Sequence, residues 1–226
     1  MGLVKNRVLG VLLVAGIAAA LGLAFLTHAP NRLVAGSAIS LAEIVGGIDR
    51  LGMGQSLVLL PALLLVAGVF MRPARGTHVV VGVAATLLLA GLVWLAADHA
   101  TRLAGTASSI ARTAFGGAFW LLAALSWLVA SDAIQRLALK PALRLLANAA
   151  VIAPVLALLA AGALNRLSLL QEYANRHDVF NAALLQHVHI VLASLVPALL
   201  IGVPLGLASV RVRRSEERRV GKECRL

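Results

Sequence analysis

The stretch VHIVLASLVPALLIGVPLGLASV, residues 188–210, decides the fold class of this chain. Its only polar side chains are one histidine and two serines, and Arg211, Arg213 and Arg214 come after it. A bilayer core about 30 Å thick requires about 20 apolar residues in helical form. The stretch therefore predicts a membrane-spanning helix with a cluster of cations at its carboxyl end.

Similar apolar segments recur along the 226 residues, of which 61% are hydrophobic and 13% are charged. Six segments are candidate spans: residues 8–26, 51–71, 78–97, 114–130, 145–164 and 188–210. Segment 51–71 contains Gln55 and Pro61, and segment 114–130 is short, so these two are the weakest candidates. The segments are continuously apolar, whereas the strands of a membrane β-barrel alternate in polarity. We therefore predict an all-α, polytopic helical bundle with about six spanning helices.

The distribution of lysine and arginine predicts the orientation of the bundle, because short cytoplasmic loops carry an excess of both. The larger set falls on the side of the amino terminus: Lys5, Arg7, Arg72, Arg75, Arg136, Lys140, Arg144, Arg211, Arg213 and Arg214. The smaller set falls in the opposite loops: Arg32, Arg50, Arg102, Arg112, Arg166 and Arg176. This bias predicts an N-in/C-in topology. The topology assumes that residues 8–26 are an uncleaved anchor. The alternative is a cleaved signal peptide, but this apolar run is longer than the core of a typical signal peptide.

The formal net charge of +11 raises the question of nucleic-acid binding. Most of the cations lie at the ends of apolar segments, where lysine and arginine anchor a helix against anionic lipid headgroups. A basic face interleaved with aromatic side chains, which would stack on bases, is absent from the sequence. We therefore expect membrane lipids, and no nucleic acid, as partners of these charges.

Potential metal ligands cluster near the last apolar segment, at His177, His187 and His189, and Cys224 is the single cysteine. On a helix, positions 187 and 189 point about 200° apart, so they do not share a ligand face. One cysteine cannot form an intramolecular disulfide. We expect an interfacial polar cluster here, with neither a metal nor a cofactor bound by the chain.

Catalytic signatures are weak. Ser126 and Ser194 are candidate intramembrane nucleophiles with His189 as the nearest base, but neither serine lies in a glycine-flanked motif. Serines in spanning helices more often bond to the backbone of their own helix or to a neighbouring helix. A glycine loop followed by lysine and serine or threonine, which would bind ATP, is also missing. We predict no catalytic residue and no enzymatic activity.

A resemblance to a known family rests on five stretches. They are APNRLVAG (29–36), ARTAFGGAFWLLAAL (111–125), SDAI (131–134), SLLQEYANRHDVFNAALLQH (168–187) and LASLVPALLIGVPLG (192–206). Through them the chain resembles the permease of an ABC transporter for osmoprotectants, the glycine betaine/choline class. The last stretch points to the permease class. The earlier ones point to the Yeh-type subgroup, which has a long N-terminal membrane extension.

The resemblance implies a division of the chain and a set of partners. Residues 1–164 would be the extension with five helices, 165–187 a periplasmic or interfacial connector helix, 188–214 the first helix of the permease core, and 215–226 a charged tail. The implied location is the bacterial inner membrane. The implied partners are an ATP-binding subunit, which would hold the ATP, a second permease subunit and a periplasmic solute-binding protein. The implied function is uptake of a solute such as glycine betaine.

Two groups of residues are candidates for function. Pro197, Gly202, Pro204 and Gly206 are candidates for packing and for the pathway, because glycines four apart lie on one helix face and each proline removes a backbone donor and favours a kink. On the connector, the resemblance makes Glu172, Arg176 and Asp178 candidate contacts of the binding protein. A solvated connector, whose charges have no specific partner, is the alternative. Leu170, Tyr173, His177 and Phe180 recur at helical spacing and are expected to form one face.

The last residues, SEERRVGKECRL at 215–226, change the composition abruptly. We expect a tail that is foreign to the permease, in a chain that natively continues past Arg214; an ordinary charged cytoplasmic tail is the alternative. The Glu-Ala-Ala coupling loop of such permeases has no match anywhere in the chain. Two other functions remain open, namely a six-helix channel or secondary transporter outside the ABC class, and a membrane sensor or scaffold.

Overall fold

The computed structural model describes residues 6–31, 33–46, 53–106 and 110–223. Its elements follow in chain order: α1 (Arg7–Gly22), β1 (Leu26–Ala29), β2 (Ser37–Ile39), α2 (Leu41–Gly46), α3 (Met53–Phe70), α4 (Arg75–Thr106), β3 (Arg112–Phe115), α5 (Gly117–Arg136), α6 (Pro141–Ala160) and α7 (Ser168–Glu223). The chain divides into a first unit that ends at Gln171 and a second unit that begins at Glu172.

The prediction of an all-α helical membrane protein is confirmed, and a small sheet is added to it. Four helical stretches among the described residues are long and apolar enough to span a membrane: Arg75–Gly105, Gly117–Arg136, Pro141–Ala160 and Ser168–Ser209. Two further apolar helices, Arg7–Gly22 and Gln55–Phe70, are shorter. The predicted count of about six therefore depends on these two shorter helices. Because an α-helix rises about 1.5 Å per residue, both are short for a membrane span.

Two of the predicted helix boundaries are wrong. Residue Leu26 was expected at the end of the first spanning segment, but α1 ends at Gly22 and Leu26 begins β1. Residue Ala114 was expected to open the fourth segment, but it lies in β3, and α5 begins only at Gly117. Both misplaced residues are apolar and pair with another strand, a long-range event that local hydropathy does not record.

The helices α4 and α6 are also placed differently from the apolar segments that predicted them. Helix α4 continues to Thr106. Near its end, Arg102 donates to the carboxylate of Asp98, one helical turn earlier, at 2.9 Å. Helix α6 runs from Pro141 to Ala160, and proline at its first position has no hydrogen bond to lose. The loop that follows α6 contains Gly162 with φ +75°, a backbone conformation that favours glycine.

The first unit is an up-and-down bundle with two buried clusters. One cluster joins Phe25, Leu26, Leu92, Phe119 and Leu167 around the three strands, and this end is called the sheet end here. The other cluster lies around the start of α1 and the start of α4, and this end is called the opposite end. The backbone amide of Asn6 donates to the carbonyl of Val69 at 3.2 Å, so the start of α1 lies beside the end of α3.

Close backbone contact holds α3 against α4. A Cβ at Gly91 would overlap the carbonyl oxygen of Leu57, so this position in α4 requires glycine. Gln55 is the polar side chain that made α3 a weak candidate span, and it is 2% exposed. The Gln55 side chain therefore faces the protein interior and not the lipid.

The cations of the first unit are separated between its two ends. Near the opposite end lie Arg7, Arg72, Arg75, Arg136, Lys140 and Arg144, and near the sheet end lie Arg102, Arg112 and Arg166. This separation agrees with the two sets used to predict N-in/C-in topology. The orientation itself remains a prediction.

Single-cysteine labelling tests the orientation. In a Cys224→Ser background, a cysteine at Thr77 or Lys140 should be protected from an impermeant thiol reagent in intact cells, because the opposite end is predicted to be cytoplasmic. A cysteine at Ala35 or Asn175 should react. All four should react after the membrane is permeabilised, which controls for burial. Labelling of Lys140→Cys in intact cells would overturn the predicted orientation.

Candidate functional site

A three-stranded antiparallel sheet, in the order β2-β1-β3, forms at the sheet end. Strand β1 lies in the centre and pairs His28 with Ser37 of β2 and with Thr113 of β3. Two of the stretches that carried the resemblance, 29–36 and 111–125, thus meet in one structure although they are far apart in sequence. Sequence reasoning missed this sheet; its weak signals are the Pro-Asn turn after β1 and the paired glycines after β3.

Side-chain hydrogen bonds reinforce the strand pairing. The His28 Nδ1 atom lies 3.0 Å from the Thr113 hydroxyl, which is nearly fully buried. The Ser37 hydroxyl donates to the His28 carbonyl at 3.1 Å. A buried hydroxyl bonded across two strands favours one register, because any slip would leave the Thr113 hydroxyl without its partner. These polar groups therefore reinforce the register set by the backbone pairing.

The start of α5 is built into the same sheet. The amide of Gly116 donates to the carbonyl of Phe25 at 2.8 Å, and the amide of Ala118 donates to the carbonyl of Ala24 at 2.9 Å. A Cβ at Gly116 would overlap the Ala24 carbonyl oxygen, whereas a Cβ at Gly117 would meet only the Leu23 side chain at 3.6 Å. The first of the two glycines is therefore required by a close backbone approach.

An aromatic cluster lies at the sheet end. The rings of Phe115 and Phe119 stack with centroids 3.8 Å apart, and Phe25 meets Phe119 edge to face at 5.8 Å. Trp120 contacts both Phe115 and Phe119 edge to face and is 57% exposed. The rings pack on one another, so the cluster is a core for the sheet end, with one indole at its edge.

The beginning of α7 is attached to this end of the bundle. Leu164 and Leu167, just before α7, are buried in the cluster around the strands. An Arg112 guanidinium nitrogen donates to the Gln171 side-chain oxygen at 3.0 Å, and the Gln171 amide nitrogen donates to the Arg166 carbonyl at 3.3 Å. Strand β3 thereby fixes the first turn of the helix that leads into the predicted permease core.

The predicted binding-protein contacts lie at the start of the second unit. Glu172 is half-buried, Arg176 is exposed, and the carboxylate of Asp178 is 90% exposed and lies 3.1 Å from the imidazole of His177. Helix α7 is broken at Arg176, where φ is −137° and ψ is 26°. The break falls inside the predicted connector, and α7 is continuous through residues 187 and 188, where the core helix was expected to begin.

Rings on both sides of the break meet. Tyr173 and Phe180 are edge to face with centroids 5.4 Å apart, and the Tyr173 hydroxyl lies 3.5 Å from the Asn181 side-chain oxygen. Two members of the expected apolar face are therefore neighbours in the structure.

The four residues of the predicted core helix lie on α7 in helical conformation. Pro197 and Pro204 lie inside the helix, and the non-helical backbone of α7 is at Arg176 instead of at either proline. A Cβ added at Gly202 or Gly206 would meet nothing within 4 Å in the part of the chain that the structure describes. The packing role of these glycines remains a prediction.

A known family matches the first unit almost from end to end. It is described as ABC transporter permease YehY, N-terminal domain, and it matches residues 5–170. The match covers nearly three quarters of the chain. The chain belongs to this family. Comparison with curated proteins and with solved structures gives no match.

Membership in the YehY N-terminal family makes the chain part of a membrane-embedded, multi-pass permease of the ABC class. It implies an ATP-binding partner subunit, because ABC transport couples a permease to ATP hydrolysis. The family match includes the sheet, the aromatic cluster and α1 to α6, and it ends one residue before Gln171. The sheet end of this chain therefore lies within the residues that match the YehY-type domain.

The serines considered as nucleophiles bond to their own helices. The Ser126 hydroxyl donates to the Leu122 carbonyl at 2.8 Å, and the Ser194 hydroxyl donates to the Val191 carbonyl at 2.9 Å. This is the ordinary use of serine in an apolar helix. Within the described ranges, groups of three metal-ligating side chains are absent. Cys224 lies outside the described residues.

Proposed function

We propose that the chain forms the N-terminal membrane part of the permease of a bacterial inner-membrane ABC importer for osmoprotectants such as glycine betaine. The observation that carries the proposal is the family match over residues 5–170. The substrate class rests on the resemblance of stretches 29–36, 111–125, 131–134 and 168–187 to the Yeh-type subgroup of betaine permeases.

In this proposal α7 is the first helix of the permease core. Its apolar part, within Ser168–Ser209, is long enough to cross a bilayer. Gly202 and Gly206 are four residues apart and lie on one helix face, which suits close contact with other core helices. The first turn of α7, which ends at Gln171, belongs to the first unit, where Gln171 accepts a hydrogen bond from Arg112.

The partners follow from the same proposal. A separate ATP-binding subunit supplies the energy, a second permease subunit completes the pathway, and a periplasmic binding protein delivers the solute. Arg176 and Asp178 are exposed beside the break in α7, so both charges are available to a protein that docks there. Glu172 is half-buried and is the least available of the three proposed contacts.

The two glycines of α7 provide a test of this function. In a permease that joins this chain to a betaine-type core, the double change Gly202→Leu and Gly206→Leu should lower the recovery of the ATP-binding subunit by about fivefold or more. Bulk inserted where two helices meet typically costs about 1–3 kcal/mol per site, and about 1.4 kcal/mol corresponds to a tenfold change. Co-purification from detergent measures the effect.

The matched control is Ala193→Leu with Ala208→Leu. At 100° per residue these positions lie on other faces of the same helix, so they introduce the same leucine side chains away from the glycine face. The control should retain the ATP-binding subunit at the unaltered level. Equal losses in both pairs would contradict packing at the glycines. Failure of the unaltered permease to co-purify with any ATP-binding subunit would favour a sensor or scaffold.

A further inference from the structure

A polar cleft opens at the opposite end of the first unit, among α1, α3, α4 and α5. Its volume is about 320 Å³, and its polar lining consists of Asn6, Arg7, Thr77, His78 and Arg136. The cleft thus has two guanidinium groups and an imidazole at the edge of an apolar helical bundle. Guanidinium groups bind phosphate oxygens through paired hydrogen bonds.

The charge of this cleft is only partly balanced. Arg136 donates to the Asp132 carboxylate at 2.7 Å. The side chains of Arg7 and His78 make no hydrogen bond or ion pair with any other residue that the structure describes. Asn6 accepts the backbone amide of Leu9 and caps α1, and Thr77 donates to the Arg72 carbonyl. The cleft therefore retains a positive charge suited to an anion.

An apolar groove leads away from the cleft at Arg7. It lies between α1 and α3, has a volume of about 620 Å³, and is lined by Val11, Val14, Ile17, Val66 and Phe70 in addition to Arg7. Arg7 lines both depressions, so a molecule with its charged group at Arg7 can place a chain along the groove. From Arg7 to Ile17, at 1.5 Å per residue, the groove follows α1 for about 15 Å.

A second apolar groove shares His78 with the cleft. It has a volume of about 290 Å³ and lies among α4, α5 and α6, lined by Val79, Val83, Leu87, Ile134 and Val151 among others. The polar cleft is thus flanked by two apolar grooves that each begin at one of its own lining residues. One polar cleft with two adjoining apolar grooves matches the shape of a lipid that has one charged headgroup and two hydrocarbon chains.

We infer that this cleft and its grooves form a specific site for an anionic phospholipid. The headgroup phosphate would lie between Arg7, His78 and Arg136, with an acyl chain in the groove between α1 and α3. Basic pockets between membrane helices are typical binding sites of anionic headgroups. The inference does not depend on the transported solute, because the site lies wholly within α1 to α6.

Competition between two lipids tests the headgroup. The purified chain is incubated in detergent with phosphatidylglycerol and phosphatidylcholine of identical acyl chains, and bound lipid is measured by native mass spectrometry. Phosphatidylglycerol should be preferred. Each of Arg7→Gln and Arg136→Gln should lower its binding about fivefold, since a cation near the membrane surface contributes about 1 kcal/mol to attraction of an anionic lipid. The double variant should lose about thirtyfold.

The matched control is Arg102→Gln. Arg102 is paired with Asp98 at 2.9 Å in the same i,i+4 geometry as Arg136 with Asp132, but near the sheet end. This variant should bind phosphatidylglycerol at the unaltered level. Equal binding of the two lipids, or equal binding by the double variant and the unaltered chain, would show nonspecific annular lipid and overturn the proposal.

A second pair of variants tests the acyl groove. Val14→Trp fills the groove, whereas Leu21→Trp adds the same ring to an exposed position of α1 outside the groove lining. The first should lower lipid binding and the second should not. Excess inorganic phosphate should displace the lipid only weakly. Full displacement by phosphate, together with unchanged binding by Val14→Trp, would identify a simple phosphate site and overturn the lipid site.

Discussion

Cells that express the 226-residue chain, with a matching ATP-binding subunit and binding protein, should take up no glycine betaine above background. The expectation rests on the proposed function, in which α7 is the only core helix that the chain supplies. A lone helix cannot shield a zwitterion from hydrocarbon, where each unsatisfied polar group costs several kcal/mol. The sequence also has no P-loop with which to use ATP. The measurement is uptake of labelled betaine in a strain stripped of its own importers.

The positive control of the uptake assay is a fusion of residues 1–214 of this chain to a betaine-type permease core. Uptake should then rise at least about tenfold above background and should disappear when the P-loop lysine of the ATP-binding subunit is replaced. Uptake by the 226-residue chain alone would contradict the ABC mechanism and favour a six-helix channel. Uptake of a different solute by the joined chain would contradict the betaine assignment and leave the ABC assignment in place.

Replacement of Gly116 by alanine should destabilise the first unit by about 2 kcal/mol, because the new methyl group would overlap the Ala24 carbonyl and force backbone to move. For a unit of this size the expected fall in Tm is about 4–8 °C, followed by tryptophan fluorescence in detergent. Gly117→Ala is the matched control, since its Cβ meets only the Leu23 side chain at ordinary contact distances of 3.6 and 3.9 Å. A fall in Tm as large in Gly117→Ala as in Gly116→Ala would contradict the required close approach at Gly116.

A second pair in α4 extends this test to helix packing. Gly91→Ala would place a methyl group on the Leu57 carbonyl, whereas Gly82→Ala would meet only the Ala133 Cβ at an ordinary 3.5 Å. Both changes improve intrinsic helix propensity by about 1 kcal/mol, so that term cancels between them. Gly91→Ala should therefore be the less stable of the two.

The fold class could be predicted from sequence because continuous apolar blocks leave few other structures in a bilayer. The positions at which the helices begin and end could not be predicted from these apolar blocks. Leu26 and Ala114 continue an apolar run, but the partner that turns each into strand lies at a distant position, Phe115 for Leu26 and Thr27 for Ala114. Hydropathy averages over neighbours in sequence, so it does not detect pairing between distant residues.

The candidate site shows the same limit. The residues of α7 were selected from a local pattern, two glycines four apart and two prolines, and the structure places them on a helix as expected. The polar groups of the sheet end, His28 and Thr113, looked unremarkable in sequence because each gains its role only from the other. The break at Arg176 also has no local signal, since neither glycine nor proline lies there.

The pairing of β1 with β3 has a consequence for the number of membrane crossings. Paired strands lie on one side of the bilayer, so the chain between them, which contains α3 and α4, must cross an even number of times. If α4 crosses, as its length permits, then α3 must cross as well, although its 18 residues rise only about 27 Å. The hydrogen bond from Asn6 to Val69 imposes the same parity on α1 and α3. Two backbone contacts thus make the crossings of three helices depend on one another, so that evidence for one crossing counts for all three.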